Sequence, residues 1–194
     1  MLAVAIAFVL GGLGWSASEY GLHRFAGHGP SRLRKGLWWA TPKVLMLLFW
    51  EEHTAHHRDP MYFAPSWKKA MTALLIVPAF GAAIGALAGF DVGLAFSSGF
   101  AITYLAYEWL HRRVHTHAPT NRYLRWMRRH HLHHHVAPKK NHGVTSAVWD
   151  HAFGTFDDPG VVKLPRAITP AWLLDPATNE ARAEFASEYV LVGK

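Results

Sequence analysis

The chain contains no cysteine. Disulfides, thiolate metal sites and cysteine nucleophiles are excluded, and any metal must be held by nitrogen and oxygen. Basic residues are absent from two long stretches: none of the 20 Lys and Arg lies in residues 1–22 or 70–111. No basic segment precedes the first apolar run. That absence argues for a retained transmembrane helix over a cleaved signal peptide, although Ser16-Ala17-Ser18 has the small residues of a cleavage site. No repeat at a solenoid period is evident, so a stacked architecture is not expected.

What is present is segregated. Hydrophobic residues make up 51% of the 194, gathered in runs while the charges collect elsewhere, which points to an integral membrane protein. Residues 1–22, 70–90 and 92–110 are each about one bilayer crossing long, since ~20 helical residues span the hydrocarbon. Only Asp91 separates the second and third runs, with Gly89 and Gly93 beside it, so a tight helical hairpin is expected. Small residues (Gly81, Ala82, Gly85, Ala86) would let helices approach closely. Residues 44–50 are apolar but too short to cross. They read as part of a re-entrant or interfacial helix continuing through Glu51, Glu52 and His53 and stopped by Asp59-Pro60. Trp38 and Trp39 read as interfacial aromatics. Asn121 is placed to cap a helix running to about His135, and Asp175-Pro176 to open a last helix toward Tyr189.

The expected fold is therefore all-α: three transmembrane helices, a re-entrant or interfacial helix, and a cytoplasmic helical cap, forming one domain over residues 1–194. The basic residues fall in two blocks, Arg24 to Lys69 and Arg112 to Lys194. Three crossings put both blocks on one side, cytoplasmic by the positive-inside rule, with the N-terminus outside. The net charge of +7 then reflects topology, and no nucleic-acid partner is expected.

All 15 histidines fall on that same side or at its boundary. They cluster at four spacings: His23 and His28 (HxxxxH); His53, His56 and His57 (HxxHH); His111 and His115 (HxxxH); and His131, His134 and His135 (HxxHH). Residues three and four apart share a helix face, so the last three patterns each aim imidazoles at one point. HxxxxH does not, because five residues turn about 140° round an α-helix. His23 and His28 are expected to straddle a helix end or to serve different metals. In the fourth cluster His130, His133 and His134 also fit HxxHH, so two registers are open. Ten imidazoles exceed what one ion can use and suit two ions. Glu19, Glu51, Glu52, Glu108 and Asp150 lie near the clusters and are candidates to accept the imidazoles' other N–H.

These four ordered boxes resemble the fatty acid hydroxylase superfamily, the sterol desaturase-like histidine-box membrane enzymes. So does the stretch after them, Asn141-His142-Gly143-Val144-Thr145-Ser146, then Val148-Trp149-Asp150 and Phe153-Gly154-Thr155. The resemblance runs from about residue 19 to 155, leaving 156–194 as a cytoplasmic tail, and spacing to the Gly143–Ser146 stretch favours the later register of the fourth box. It implies a membrane-bound non-haem di-iron oxidoreductase that hydroxylates a fatty acyl lipid with O2 and external electrons. The ligands carried over are His23, His28, His53, His56, His57, His111, His115, His131, His134 and His135, holding two iron ions for which zinc can substitute in purified protein. His142 departs from the family, which often has an aromatic there; His142, His117 and His151 are expected to be surface or supporting residues. The implied partners are membrane lipids, the acyl substrate and a separate ferredoxin- or cytochrome b5-like electron donor. By their charge, Arg112, Arg113, Arg122, Arg125, Arg128 and Arg129 read first as positive-inside signals or lipid headgroup contacts, and alternatively as a face that docks an acidic donor. The implied setting is a bacterial inner membrane. Carotenoid hydroxylation and lipid desaturation are the alternatives within this chemistry, although HxxxH in the third box favours the fatty acid branch. A membrane metal transporter is the alternative outside it, disfavoured because the three apolar runs contain no histidine.

Overall fold

Residues 2–27 form a continuous helical rod. Its first part is α1 (Leu2–Gly21), and it continues as a π-helical segment, Leu22–Gly27. In the computed structural model, residues 1–29 and 43–193 are described, with only the backbone for 43–48. Trp38 and Trp39 lie outside these residues. The rod is followed by α2 (Lys43–Arg58), α3 (Ser66–Ala88), α4 (Phe90–Thr116), α5 (Arg122–Val136) and the short α6 (Val148–Ala152). Two strands, β1 (Val162–Pro165) and β2 (Tyr189–Val192), come last, with single 3-10 turns among them.

The chain divides into two compact units. One comprises Met1–Glu19 and Ala64–Trp109. Glycine governs its packing. A Cβ on Gly11 would stand 2.0 Å from the Phe96 carbonyl oxygen, and one on Gly99 1.9 Å from that of Phe8. The α1 and α4 backbones thus meet with nothing between them. α3 and α4 are joined at Gly89, whose φ of 101° ends α3 and permits the expected hairpin. Trp15 packs against Phe100, Tyr104 and Tyr107.

Among the described residues, two helices are long and apolar enough to cross a membrane, Leu2–Gly27 and Ser66–Ala88. None of the apolar window of Ser66–Ala88 is buried, and Met71, Leu74 and Leu75 are more than 60% exposed. A soluble protein's core helix would hide those side chains, so this one needs an apolar surround. α4 is longer still at 27 residues, but Asp91, Ser97, Ser98 and Thr103 dilute its apolar part and it is not one of that pair.

The other unit comprises Tyr20–Phe63 and the residues from Leu110 on. At its centre is α5. Asn121 Oδ1 accepts the Leu124 N–H at 2.8 Å, an N-cap. Leu124, Met127 and Leu132 are buried with Val114, Val162, Leu164, Trp172, Leu173, Phe185 and Tyr189. β1 and β2 pair in parallel, Val162 opposite Tyr189 and Leu164 opposite Leu191.

Two expectations are corrected here. The fold is predominantly helical but not all-α, since the tail contributes a small sheet. The helix expected from Asp175 to Tyr189 does not form. Asp175 Oδ1 accepts the N–H of Ala177 at 2.8 Å and of Thr178 at 3.3 Å, a turn that competes with helix. The chain then doubles back so that Leu174 bridges Ala181, and the β-branched and aromatic residues of 189–192 take a strand.

Candidate metal centre

The ten histidines of the four boxes gather into two groups of five. The first holds His23, His28, His53, His57 and His134, whose ligand nitrogens all lie within 4.8 Å of one another. His28 Nε2 is 2.7 Å from His53 Nε2, 3.2 Å from His57 Nε2 and 3.0 Å from His134 Nε2. The π-helix makes this possible. Its i→i+5 bond, His28 N–H to His23 O at 3.1 Å, stacks two residues that α geometry would send to opposite faces. Of the two expectations for His23 and His28, the structure follows the first: His23 lies inside the segment and His28 caps its end, and both join one group. Gly27 is needed where it is, because a Cβ there would come within 2.7 Å of the His53 ring.

The second group holds His56, His115, His131 and His135, with His111 Nε2 3.1 Å from both His56 Nε2 and His131 Nε2. His131 Nε2 is also 3.1 Å from those of His115 and His135. The groups touch through His57 and His135, whose rings stack at 4.3 Å. Phe49 stacks on His53 at 5.6 Å, and Phe63 lies beside His56 and His115.

The orientation of these rings fits metal binding. His56 Nδ1 donates to Tyr62 O at 2.9 Å, His134 Nδ1 to Lys140 O at 2.6 Å, and His23 Nδ1 to His142 O. Each carbonyl fixes the tautomer and leaves a bare lone pair on Nε2. His23 Nε2 is buried with no hydrogen-bond partner. Converging lone pairs repel unless a cation sits between them. With metal–nitrogen bonds of about 2.1 Å, ligands at right angles lie ~3 Å apart, which is the spacing found. Burial, then neighbouring His142, lowers His28 to a pKa of about 4. Burial, then His28, His56 and His142, lowers His57 to about 3. Burial, then adjacent imidazoles, also holds His53, His131, His134 and His135 well below the ordinary value. All are neutral at pH 7, the form that ligates.

Two carboxylates support the rings at one remove. Asp150, fully buried, accepts the N–H of His142 at 2.8 Å and of Gly143 at 2.9 Å, and the Thr155 hydroxyl at 2.7 Å. Burial would raise its pKa, but neighbouring His130, then Thr155, Gly143 and His142, hold its carboxyl below the usual range. It thereby fixes the loop whose His142 carbonyl receives His23. Asn141, at φ 55°, closes the same loop through Asp157. Glu52 accepts the Tyr62 hydroxyl at 2.5 Å, and the Tyr62 carbonyl receives His56. Sequence reasoning missed both carbonyls, because a backbone acceptor leaves no residue signature.

The remaining expected residues lie elsewhere. His130 stacks on Trp126 at 4.9 Å, with its Nε2 3.4 Å from Asp150 Oδ2. His133 Nε2 is 2.7 Å from Asp157. Of the two registers, only His131, His134 and His135 enter the groups whole. His151 stacks on Phe156, and His117 meets Thr116. His142 is buried, with its ring 5.4 Å from that of His134, so it is a supporting residue and not a surface one. Glu51 is exposed, Glu19 is buried, and Glu108 is ion-paired with Lys69. Of the six arginines, Arg125 pairs with Glu188, Arg129 with Asp158, and Arg128 is buried.

A family model described as fatty acid hydroxylase matches residues 8–155. Among curated proteins, the dihydroceramide fatty acyl 2-hydroxylase FAH1 of Arabidopsis thaliana is 31% identical, over 81% of this chain and 62% of its own length. The ceramide very long chain fatty acid hydroxylase SCS7 of Saccharomyces cerevisiae is 28% identical, over 81% of this chain and 40% of its own. The chain thus spans less than two thirds of these relatives. The solved structure described as full-length scs7p, with only the hydroxylase domain visible, superposes with a TM-score of 0.62 at 29% identity. That superposition covers 81% of this chain and 58% of the solved one.

Proposed function

The chain belongs to the fatty acid hydroxylase family, and from that premise we propose that it is a membrane-bound di-iron enzyme that hydroxylates a fatty acyl chain at carbon 2, using O2 and electrons from a separate ferredoxin- or cytochrome b5-like donor. The supporting observation is the convergence of ten imidazoles as two groups of five nitrogens. An all-nitrogen set suits iron as well as zinc, and two adjacent sites match a reaction that needs more than one electron. The choice of carbon 2 comes from relatives named as fatty acyl 2-hydroxylases. The topology proposed with it has three crossings, with the histidines and both basic blocks on the cytoplasmic face.

When bound, the iron pair supplies O2 activation and attack on an unactivated C–H bond. The protein's part is to hold neutral Nε2 donors in place through the carbonyls of Tyr62, Lys140 and His142. Burial of His131, His134 and His115 to within 1% of full enclosure keeps bulk water from the ligand nitrogens.

The test is lipid mass spectrometry of cells with and without the gene, grown under 18O2. The expected result is a 2-hydroxy acyl lipid carrying one 18O, absent without the gene. An alkene product, or a hydroxyl without the label, would refute the reading.

A further inference from the structure

Arg128 is a buried cation at 0% exposure. Among the described residues no carboxylate lies in ion-pair range of it. Burial brings its pKa down to about 10, so it stays charged at neutral pH. Enclosing an unpaired guanidinium is costly, and a site that does so must use the charge or its hydrogen-bonding fork.

The fork is used on backbone. Arg128 Nε donates to His117 O at 2.7 Å, Nη2 to Arg113 O at 2.9 Å and Nη1 to Leu124 O at 3.0 Å. Arg113 and His117 stand two residues either side of His115, at the end of α4, where Arg113 O also accepts the His117 N–H at 3.1 Å. On α5, Arg128 is three residues before His131 and shares its face. One side chain therefore ties the segment carrying His115 to the helix carrying His131, whose Nε2 atoms are 3.1 Å apart. Beneath the guanidinium, the Trp172 ring lies 5.7 Å away, and its Nε1–H donates to Val114 O at 2.9 Å. Trp172 belongs to the tail beyond residue 155, outside the family match. In the first group His134 alone stands on α5, while His23 and His28 come from the π-helix and its cap and His53 and His57 from α2.

We propose that Arg128, seated on Trp172, is a positioning residue for the second histidine group: it sets the spacing of His115 and His131 by clamping three carbonyls where α4 meets α5. The inference rests on the metal reading above. It makes the two metal sites unequally vulnerable, because the second takes rings from both tied segments and the first shares only His134 with α5.

Cobalt(II) titration of the metal-free, detergent-solubilised full chain tests it by visible absorption and by metal per chain. Wild-type protein is expected to take up two cobalt ions. Arg128→Lys keeps the charge but cannot hold three carbonyls in one plane. It should bind one ion as wild type does and the second at least tenfold more weakly, with loss of that site's share of the spectrum. Unchanged binding of both ions overturns the proposal, as does equal weakening of both, which is what a merely structural role gives. If Arg128→Lys does not fold, Trp172→Phe leaves a ring under the guanidinium and removes the bond to Val114. A smaller but equally selective weakening is then expected, and none overturns the proposal. Wild-type protein that binds no cobalt refutes the metal reading itself, and this inference with it.

Discussion

His134 shows what a single side chain does here. Its Nδ1 is held by Lys140 O at 2.6 Å, and its Nε2 stands 3.0 Å from His28 and 3.2 Å from His57. His134→Ala removes one donor of five in the first group. Loss of a residue that merely orients a ligand costs about 10–100-fold, so loss of the donor itself should cost at least ~100-fold in hydroxylation, measured with bound iron. Acid should act on the same residues. Burial lowers His57 and His28 to about 3 and about 4 in the folded chain, against the ordinary 6.5 when unfolded. Between those limits the unfolded chain binds more protons, so stability rises with pH. It is full above about 6.5 and lost as pH falls toward 4. Thermal melts of metal-free protein from pH 7.5 to 4.5 should show a falling Tm, and a flat profile would contradict these burial states.

At the scale of elements, the loop from Asn141 to Thr155 works as a unit. Asp150→Ala would strand the buried N–H groups of His142 and Gly143, while the Thr155 hydroxyl keeps Tyr20. Each stranded donor costs about 1–3 kcal/mol. A net loss of about 3 kcal/mol is expected, with weaker metal retention because the His142 carbonyl no longer holds His23, measured by thermal melts and metal content. The sequence made some elements legible and hid others for physical reasons. HxxxH was readable because α-helical periodicity alone aligns it, and the Asn121 cap and the Gly89 turn carry their own chemistry. The single point expected of each HxxHH box is corrected, since His56 joins the second group and His134 the first. HxxxxH was legible only as a pair straddling a helix end, because the π geometry that joins its rings is rare and leaves no propensity signal. The Asp175-Pro176 pair failed as a helix start because the same aspartate also makes a turn. The carbonyls under His23 and His56 were invisible because only coordinates reveal a backbone acceptor.

For the molecule as a whole, the apolar runs, the hairpin and the clustering of imidazoles followed from where charge is missing. The parallel pair β1–β2 did not, since strands of four residues carry too little pattern to announce themselves. The proposed three crossings place the two termini on opposite sides of the membrane. Reporter fusions at residues 1 and 194 should report opposite compartments, with the C-terminal one cytoplasmic. Reporters on the same side would remove α4 from the crossings.

The most direct measurement is the metal itself: iron per chain after anaerobic reconstitution, with X-ray absorption of the bound ions. The account requires two ions per chain in an all-nitrogen and oxygen shell, with imidazole scattering and bonds of about 2.1 Å. A single ion, or a shell without several imidazoles, would contradict the convergence of the two histidine groups on a metal pair.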